Sequence, residues 1–376
     1  ALRRRASRLT LALTLLAACA RAPQQPASTP PSPRPEPLAV APAPTRPLPP
    51  PDAAAVEPTA PAPAPELGPR APEPASAAQV QQLFGSPEDP EPQVRGGITK
   101  ALEDVSYIVG NEWSLDAFRA AVQDLGGGYI GVGPDQAYLF IGWQRPEFAW
   151  LIDYDPKVMR VHAMYRALLQ AFERRRDFLA AFEHDHADAT SELLAQHEDP
   201  RLRRMYRNNR DMFRWRLRTI ERKLARRGVP CWLTDDETYA YVRKMVLGDR
   251  VRPLRVNLVD DVGMAGIAEA ARALGVTVRV VYLSNAEEYW ERYEPQFVAN
   301  LAALPIDERA LVLRTRLVWQ VNRDYVYNAQ SLAEFLAWLQ TPGVDTLEDI
   351  VGPKPKAEAG RINFVHTTAL PPAAGS

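Results

Sequence analysis

The chain has 376 residues, of which 46% are hydrophobic, and its formal net charge at pH 7 is −1. This length allows two average domains or one large α/β domain with additions. The near-neutral charge gives no global electrostatic case for a nucleic-acid-binding protein. Twenty of the 36 prolines lie between residues 22 and 75, so the composition separates a proline-rich segment from a part that can form a core.

Residues 1–18 have the features of a secretory signal. Four arginines within residues 3–8 are followed by an apolar run, residues 9–16, that is too short to span a bilayer. Residues 16–19, LAAC, resemble the lipobox of bacterial lipoproteins. The resemblance implies cleavage before Cys19, acylation of that cysteine and stable anchoring in a membrane. The alternative is an ordinary secretory signal in which the cysteine is incidental.

Residues 19–77 are predicted to be a disordered Pro/Ala-rich spacer, because they contain too few large apolar side chains to collapse. An extended polyproline chain rises about 3.1 Å per residue, so this spacer reaches on the order of 150 Å. Ala20 does not resemble the aspartate that retains lipoproteins in the inner membrane of enteric bacteria. We therefore expect a lipid-anchored protein of the cell envelope, located at the outer membrane.

Residues 78–352 are predicted to form one α/β domain, followed by a flexible tail at 353–376. Short apolar runs that indicate strands alternate with helical patterns. We predict strands at 129–132, 148–152, 254–259, 276–283, 310–315 and 325–327, and helices at 114–125, from 133, at 156–182, 191–227, 234–246, 263–274, after Ser284 and after Ser331. Capping boxes are expected at Thr234/Glu237 and Ser284/Glu287, and Ser331 and Glu334 are expected to cap the last helix. The alternation predicts a mostly parallel sheet covered on both faces, with a ligand cleft at the carboxyl ends of the strands.

A glycine turn and a distant aspartate indicate a nucleoside site in that cleft. Gly131 and Gly133 lie between a strand and a helix, and Asp153 ends the next strand, where a carboxylate can accept hydrogen bonds from ribose hydroxyls. Gln136 replaces the third glycine of the dinucleotide fingerprint, and Asp135 in the first helical turn would repel a pyrophosphate. The pattern favours a phosphate-free nucleoside cofactor such as S-adenosylmethionine. The alternative is a turn that needs glycine for backbone reasons only.

Residues 127–169, GGYIGVGPDQAYLFIGWQRPEFAWLIDYDPKVMRVHAMYRALL, resemble a family of largely uncharacterised bacterial methyltransferase-like proteins. That family carries a G-V-Y-x-G-V-G-P-x-Q block, a strand ending in I-V-D and a helix with H-x-x-Y-[KR]-A-L. The matching positions here are Gly131, Gly133, Pro134, Gln136, Asp153, His162, Tyr165 and Arg166. The resemblance covers about residues 97–340 and implies a class I methyltransferase-like Rossmann fold without an established substrate.

Two observations favour a binding function over a catalytic one. The strand that ends in NLVDDVG lacks the D/N-P-P-Y signature of amino-group methyltransferases, and no catalytic cysteine pair is present. S-adenosylmethionine is not expected to accumulate where a lipoprotein domain resides. The leading hypothesis is therefore a binding or scaffolding protein that keeps a Rossmann-type cleft, and the alternative is an active S-adenosylmethionine-dependent methyltransferase or another nucleoside-cofactor enzyme.

Further candidate residues follow the predicted strands. Asp155, Asp260 and Asn285 are placed in the cofactor-binding set because each comes shortly after a strand. Asp260 and Asp261 form a carboxylate pair that suits acid/base or cation chemistry, or simply starts a helix. His162 and Tyr165 share a helix face and either line the cleft or lie in the core. No metal site is predicted, because His184 and His186 point apart on a helix and have no second ligand cluster.

Residues 201–227 are the strongest charge run. Met205, Phe213, Leu217, Ile220 and Leu224 recur at helical spacing, so one face packs and the arginines occupy the other. This face is predicted to contact anionic envelope components, or else to be a solvated helix paired with nearby acids. Nucleic acid is not expected as a partner outside the cell.

Overall fold

The computed structural model describes residues 73–97, 99–318, 323–353 and 365–366. The predicted signal peptide, Cys19 and most of the predicted spacer lie outside the described residues. Within the described part, no helix combines the length and apolarity needed to cross a membrane. Ala75 donates its backbone N–H to Gly248 O at 2.8 Å, so the end of the predicted spacer contacts the domain.

A seven-stranded sheet forms the centre of the domain, in the order β3-β2-β1-β4-β5-β6-β7. Strands β1 to β5 are mutually parallel, β6 runs antiparallel to β5, and the two-residue β7 pairs parallel with β6. The strands are β1 (Gly128–Val132), β2 (Phe148–Asp153), β3 (Val251–Arg255), β4 (Val278–Ser284), β5 (Leu311–Leu317), β6 (Tyr325–Ser331) and β7 (Val365–His366). The order of the first five strands is that of a doubly wound Rossmann-type sheet, so the predicted methyltransferase-type α/β fold is confirmed.

Helices cover both faces of this sheet. They are α1 (Ala77–Gly85), α2 (Arg119–Val122), α3 (Gln136–Gln144), α4 (Pro156–Ala171), α5 (Arg175–Ala180), α6 (Ala187–Ala195), α7 (Pro200–Arg226), α8 (Asp236–Leu247), α9 (Gly263–Ala273), α10 (Pro295–Ala302), α11 (Leu332–Leu339) and α12 (Leu347–Val351). Alternate strand residues separate two cores: Tyr129 and Leu151 pack with α3, α4, α7 and α8, whereas Ile130 and Ile152 pack with α1, α9, α10 and α11. The predicted Arg-rich insertion is the helical segment between β2 and β3.

The predicted helix at 156–182 is wrong in its length, because α4 ends at Ala171 and α5 is a separate short helix. No glycine or proline marks this break. The Tyr239 hydroxyl donates to Phe172 O at 2.7 Å, and Arg243 Nε donates to Leu169 O at 2.8 Å. Side chains of α8 therefore satisfy the carbonyls at the end of α4, a tertiary effect that local spacing does not reveal.

Both predicted capping boxes are also wrong. Asp235 caps α8 by accepting from Thr238 N at 2.7 Å, whereas the Thr234 hydroxyl donates to Val229 O at 3.1 Å. Ser284 does not cap the 3₁₀ turn Ala286–Tyr289. The Ser331 cap of α11 is confirmed, since its hydroxyl accepts from Glu334 N at 3.4 Å.

Candidate functional site

A cleft of about 340 Å³ lies at the carboxyl ends of β1 to β4. Residues that follow each of these strands line it, and a segment that precedes β1 forms its outer wall. The strand-end lining residues include Val132, Gly133, Pro134, Gln136, Asp153, Tyr154, Asp155, Val256, Asn257, Ser284 and Asn285. Of the seven predicted cofactor-binding residues, the structure brings Gly133, Gln136, Asp153, Asp155 and Asn285 together here. Its volume falls within the range of about 300–1,000 Å³ typical of small-molecule sites.

Gly133 makes the turn from β1 into α3. Its φ is +95°, a conformation that side chains disfavour, and its N–H donates to Ile152 O at 3.1 Å. A Cβ at Gly133 would lie 2.2 Å from Gln136 Nε2, and a Cβ at Gly110 would lie 2.6 Å from Gln136 Oε1. The Gln136 side chain therefore fills the space between two glycines. Its buried Oε1 has no hydrogen-bond partner among the described residues and borders the cleft.

Asp135 does not face the cleft, which overturns the prediction that its charge would repel a pyrophosphate there. Its carboxylate points inward, where Oδ2 accepts from Arg216 Nε at 2.8 Å and Oδ1 accepts from Gly110 N at 2.5 Å. Arg216 is fully buried, donates to Glu112 O at 2.8 Å and lies 4.8 Å from the Trp113 ring centre. A buried ion pair thus fastens the glycine turn to α7.

Asp153 and Asp155 lie side by side at the end of β2. Asp153 Oδ1 accepts from Asp155 N at 2.9 Å, and Asp155 Oδ1 caps α4 by accepting from Lys157 N at 2.8 Å. Asp155 Oδ2 also lies 3.5 Å from Arg95 Nε. Burial, with a smaller contribution from the Asp155 charge, raises the pKa of Asp153 to about 7. Among the described residues, Asp153 is thus the carboxyl group at this strand end that forms no ion pair with a cation.

We expect Asp153→Asn to stabilise the protein more at pH 8 than at pH 5. The folded-state pKa lies above the usual value, so the native state keeps a proton that the unfolded chain releases, and stability falls as pH rises from about 4 to 7. Asparagine keeps the acceptor for Asp155 N and cannot ionise. In urea unfolding, the substitution should raise the free energy of unfolding by about 1–2 kcal/mol more at pH 8 than at pH 5. This value is smaller than the pKa shift alone would give, because Asp153 is partly exposed to the cleft. An equal effect at both pH values would contradict it.

The loop after β4 places Asn285 in the cleft, with its Nδ2 3.3 Å from Glu288 Oε2. Ser284 adopts a positive φ of 55° and donates its hydroxyl to the buried Glu112 carboxylate. Glu287 turns into the core, where its Oε2 lies 3.5 Å from Arg314 Nε and its Oε1 accepts from the Tyr293 hydroxyl at 2.6 Å. Tertiary partners thus replace the predicted capping box.

Two predicted residues, Gly131 and Asp260, do not line the cleft. Gly131 lies within β1, and a Cβ there would lie 2.0 Å from the Tyr129 hydroxyl oxygen, so packing accounts for this glycine. The backbone oxygen of Asp260 accepts from Asn300 Nδ2 at 2.7 Å, outside the cleft wall. His162 and Tyr165 are core residues. His162 lies 3.0 Å from the Tyr138 hydroxyl, and burial lowers its pKa to about 3.

A metal site finds no support in the described residues, among which no group of three or more His, Cys, Asp or Glu side chains is placed to hold an ion. Cys231 is buried, and burial raises the pKa of its thiol. This is the environment of an unreactive thiol.

Residues 107–363 match the family model described as a domain of unknown function, DUF7790. The chain belongs to the DUF7790 family. No curated protein matches it. Among solved structures, the rRNA methyltransferase aviRa from Streptomyces viridochromogenes matches with 14% identity, covering 64% of this chain and 79% of that chain, at a TM-score of 0.25.

Sequence patterns did not predict the outer wall of the cleft. This wall lies before the start of the DUF7790 match. Residues 92–97 and 99–105, here termed the strap, supply Pro92, Val94, Arg95, Gly96, Leu102 and Val105 to the lining. The buried Asp89 pins the start of the strap, since its carboxylate accepts from Asn257 N at 2.9 Å and from Gly263 N at 2.8 Å. Asp89 lies alone in a proline-rich stretch without hydrophobic periodicity, so the sequence did not predict this contact.

Proposed function

We propose that this domain binds a phosphate-free adenosyl ligand of the S-adenosylmethionine class in the cleft. The observation that carries the proposal is the meeting of the Gly133 turn with Asp153 at neighbouring strand ends. Gly133 presents backbone and no side chain to the cleft, and a carboxylate at the end of the next strand can accept hydrogen bonds from two ribose hydroxyls. Asn285, after β4, supplies a further polar group on the opposite side of β1.

The charges of the cleft support a ligand without phosphate. Among the described lining residues, Arg95 is the one cationic side chain, and it lies 3.5 Å from Asp155. A pyrophosphate would therefore meet two carboxylates and a single engaged cation. A sulfonium or ammonium group instead meets aromatic faces, which attract cations; the aromatic lining residues are Tyr107, Tyr154, Tyr289, Trp290 and Tyr325.

The same proposal includes binding without methyl transfer, in the envelope location that the lipobox predicts. It is supported by the loop after β4, where Ser284 and Asn285 are engaged by the internal carboxylates of Glu112 and Glu288. An active methyltransferase is the alternative, and conversion of S-adenosylmethionine to S-adenosylhomocysteine in the presence of envelope extract would favour it.

We expect S-adenosylhomocysteine to bind the full chain with a Kd in the micromolar range, measured by calorimetry. Asp153→Ala should weaken binding about 10- to 100-fold, because it removes a charged hydrogen-bond acceptor. Ribose hydroxyls favour the ionised carboxylate, and the pKa of Asp153 is about 7, so affinity should fall up to about tenfold from pH 8 to pH 6.

Asp261→Asn is the matched control, since Asp261 is an exposed carboxylate that does not line the cleft. It should leave the Kd unchanged within about twofold. Absence of binding by the unmodified chain at millimolar ligand, or equal weakening by both variants, would overturn the proposal.

A further inference from the structure

A second concavity, of about 560 Å³, lies against the last turns of α7 and shares no lining residue with the cleft. We term it the cationic groove. It is lined by Trp113, Thr219, Arg222, Lys223, Arg226, Arg227, Arg323 and Asp324. Positions 219, 222, 223 and 226 follow one face of the helix, and Arg323 comes from the connection between β5 and β6. Five cationic side chains from two elements therefore face one space.

The groove differs from the middle of α7, where arginines are paired with acids. Arg214 and Arg218 both lie near Glu183, at 3.5 and 2.8 Å, and Arg216 is bound to Asp135. Pairing with acids, the alternative interpretation of residues 201–227, therefore accounts for the middle of the helix. It does not account for the groove.

Five cationic side chains and two acids, Asp324 and Asp116, lie at the groove among the described residues, so cations outnumber acids there. Asp324 is buried, and its Oδ1 accepts from Trp113 N at 3.0 Å and from the Tyr327 hydroxyl at 2.7 Å. Asp116 pairs with Arg227 at 2.7 Å. Arg222 and Arg226 are exposed, and neither forms an ion pair with a carboxylate of the described residues. The helix dipole favours cations at the end of α7, but it does not explain why Arg323 converges on the same space.

In the part of the chain that the structure describes, one aromatic side chain, Trp113, lines the groove. Trp113 packs edge-to-face with Trp215, with ring centres 5.1 Å apart, and Trp215 is 50% exposed. Guanidinium groups present paired donors that match phosphate oxygens, whereas an exposed tryptophan suits an adjoining sugar or lipid interface. Guanidinium groups beside an exposed tryptophan fit an anionic group that is attached to a larger molecule better than they fit a simple counter-ion.

We propose that the cationic groove binds a molecule bearing two or more phosphate groups. The shared chemistry is that of phosphate oxyanions, supplied either by a lipid headgroup or by a free polyphosphate. The proposal does not depend on the adenosyl ligand, because the groove and the cleft are lined by different residues.

The test compares two charge reversals on the same helix. Arg222→Glu/Arg226→Glu changes the groove, whereas Arg204→Glu/Arg207→Glu changes two exposed arginines of α7 outside it. Tripolyphosphate binding is measured by calorimetry and vesicle binding by co-sedimentation, with cardiolipin vesicles against phosphatidylcholine vesicles. Thermal unfolding of each variant checks that the fold is retained. Both pairs alter the net charge equally, so only a site-specific contact distinguishes them.

We expect the groove variant to weaken tripolyphosphate binding at least tenfold and the control variant less than threefold. Groove-dependent binding of cardiolipin vesicles that tripolyphosphate displaces would identify a lipid headgroup as the source. Groove-dependent binding of tripolyphosphate alone would identify a soluble polyphosphate. Equal losses in both variants, or no binding by the unmodified chain at millimolar tripolyphosphate, would overturn the proposal.

Discussion

Replacing Arg216 by methionine is expected to lower the free energy of unfolding by about 3–5 kcal/mol. Arg216 is completely buried and the Asp135 side chain is 4% exposed, so the substitution leaves a carboxylate without its cation in the core. Equilibrium unfolding in urea measures the loss. Arg204→Met is the matched control, because Arg204 is exposed on the same helix, and it should change stability by less than about 0.5 kcal/mol.

The Asp135→Asn/Arg216→Met double variant separates the ion pair from packing. Asparagine keeps an acceptor for Gly110 N and removes the buried charge, so the double variant should recover at least half of the stability lost in Arg216→Met. A double variant as unstable as the single one would show that the lost contacts of Arg216 with Glu112 O and the Trp113 ring, rather than the charge of Asp135, dominate.

Glu112→Leu is expected to cost about 2–4 kcal/mol, because three hydroxyl groups lose one acceptor. Glu112 Oε1 accepts from Tyr282 at 2.8 Å, from Thr315 at 3.4 Å and from Ser284. These donors lie on β4 and β5, so the glutamate joins the segment before α2 to the centre of the sheet. Thermal unfolding and urea titration measure the effect.

Glu112→Gln is the control for this prediction. The amide keeps the Oε1 acceptor, and Glu112 Oε2 has no hydrogen-bond partner among the described residues that the substitution would remove. We expect a loss below about 1 kcal/mol. Equal losses for leucine and glutamine would mean that the charge, and not the acceptor geometry, holds this network.

The parts of the site that sequence predicted are those fixed by local geometry. Gly133 directly follows the apolar strand β1, Asp153 ends the apolar strand β2, and the carboxyl ends of neighbouring parallel strands meet at one edge of a sheet. The contacts that sequence missed join distant positions. Asp135 binds Arg216, 81 residues away, and Ser284 binds Glu112, 172 residues away. Asp135 and Ser284 therefore form buried tertiary contacts, although local sequence rules predicted that each lies at the start of a helix.

The same difference between local and distant contacts explains why the sheet was predicted correctly and some helix ends were not. Strand–helix alternation specified the sheet type, since buried parallel strands are continuous apolar runs. The end of α4 at Ala171 depends on side chains from another helix. The start of α8 depends on a competing turn, because the Thr234 hydroxyl binds Val229 O and Asp235 caps the helix instead. Propensity carries no information on such tertiary partners.

The strap has a consequence for how ligands are assigned within the DUF7790 family. The family match spans residues 107–363, whereas the strap lines the cleft from outside that range. Two members that share the glycine turn and the aspartate after β2 can therefore differ in the wall that selects the ligand. We expect the ligand preference of this protein to depend on the strap, which Asp89 holds in place, as well as on the cleft residues within the family match.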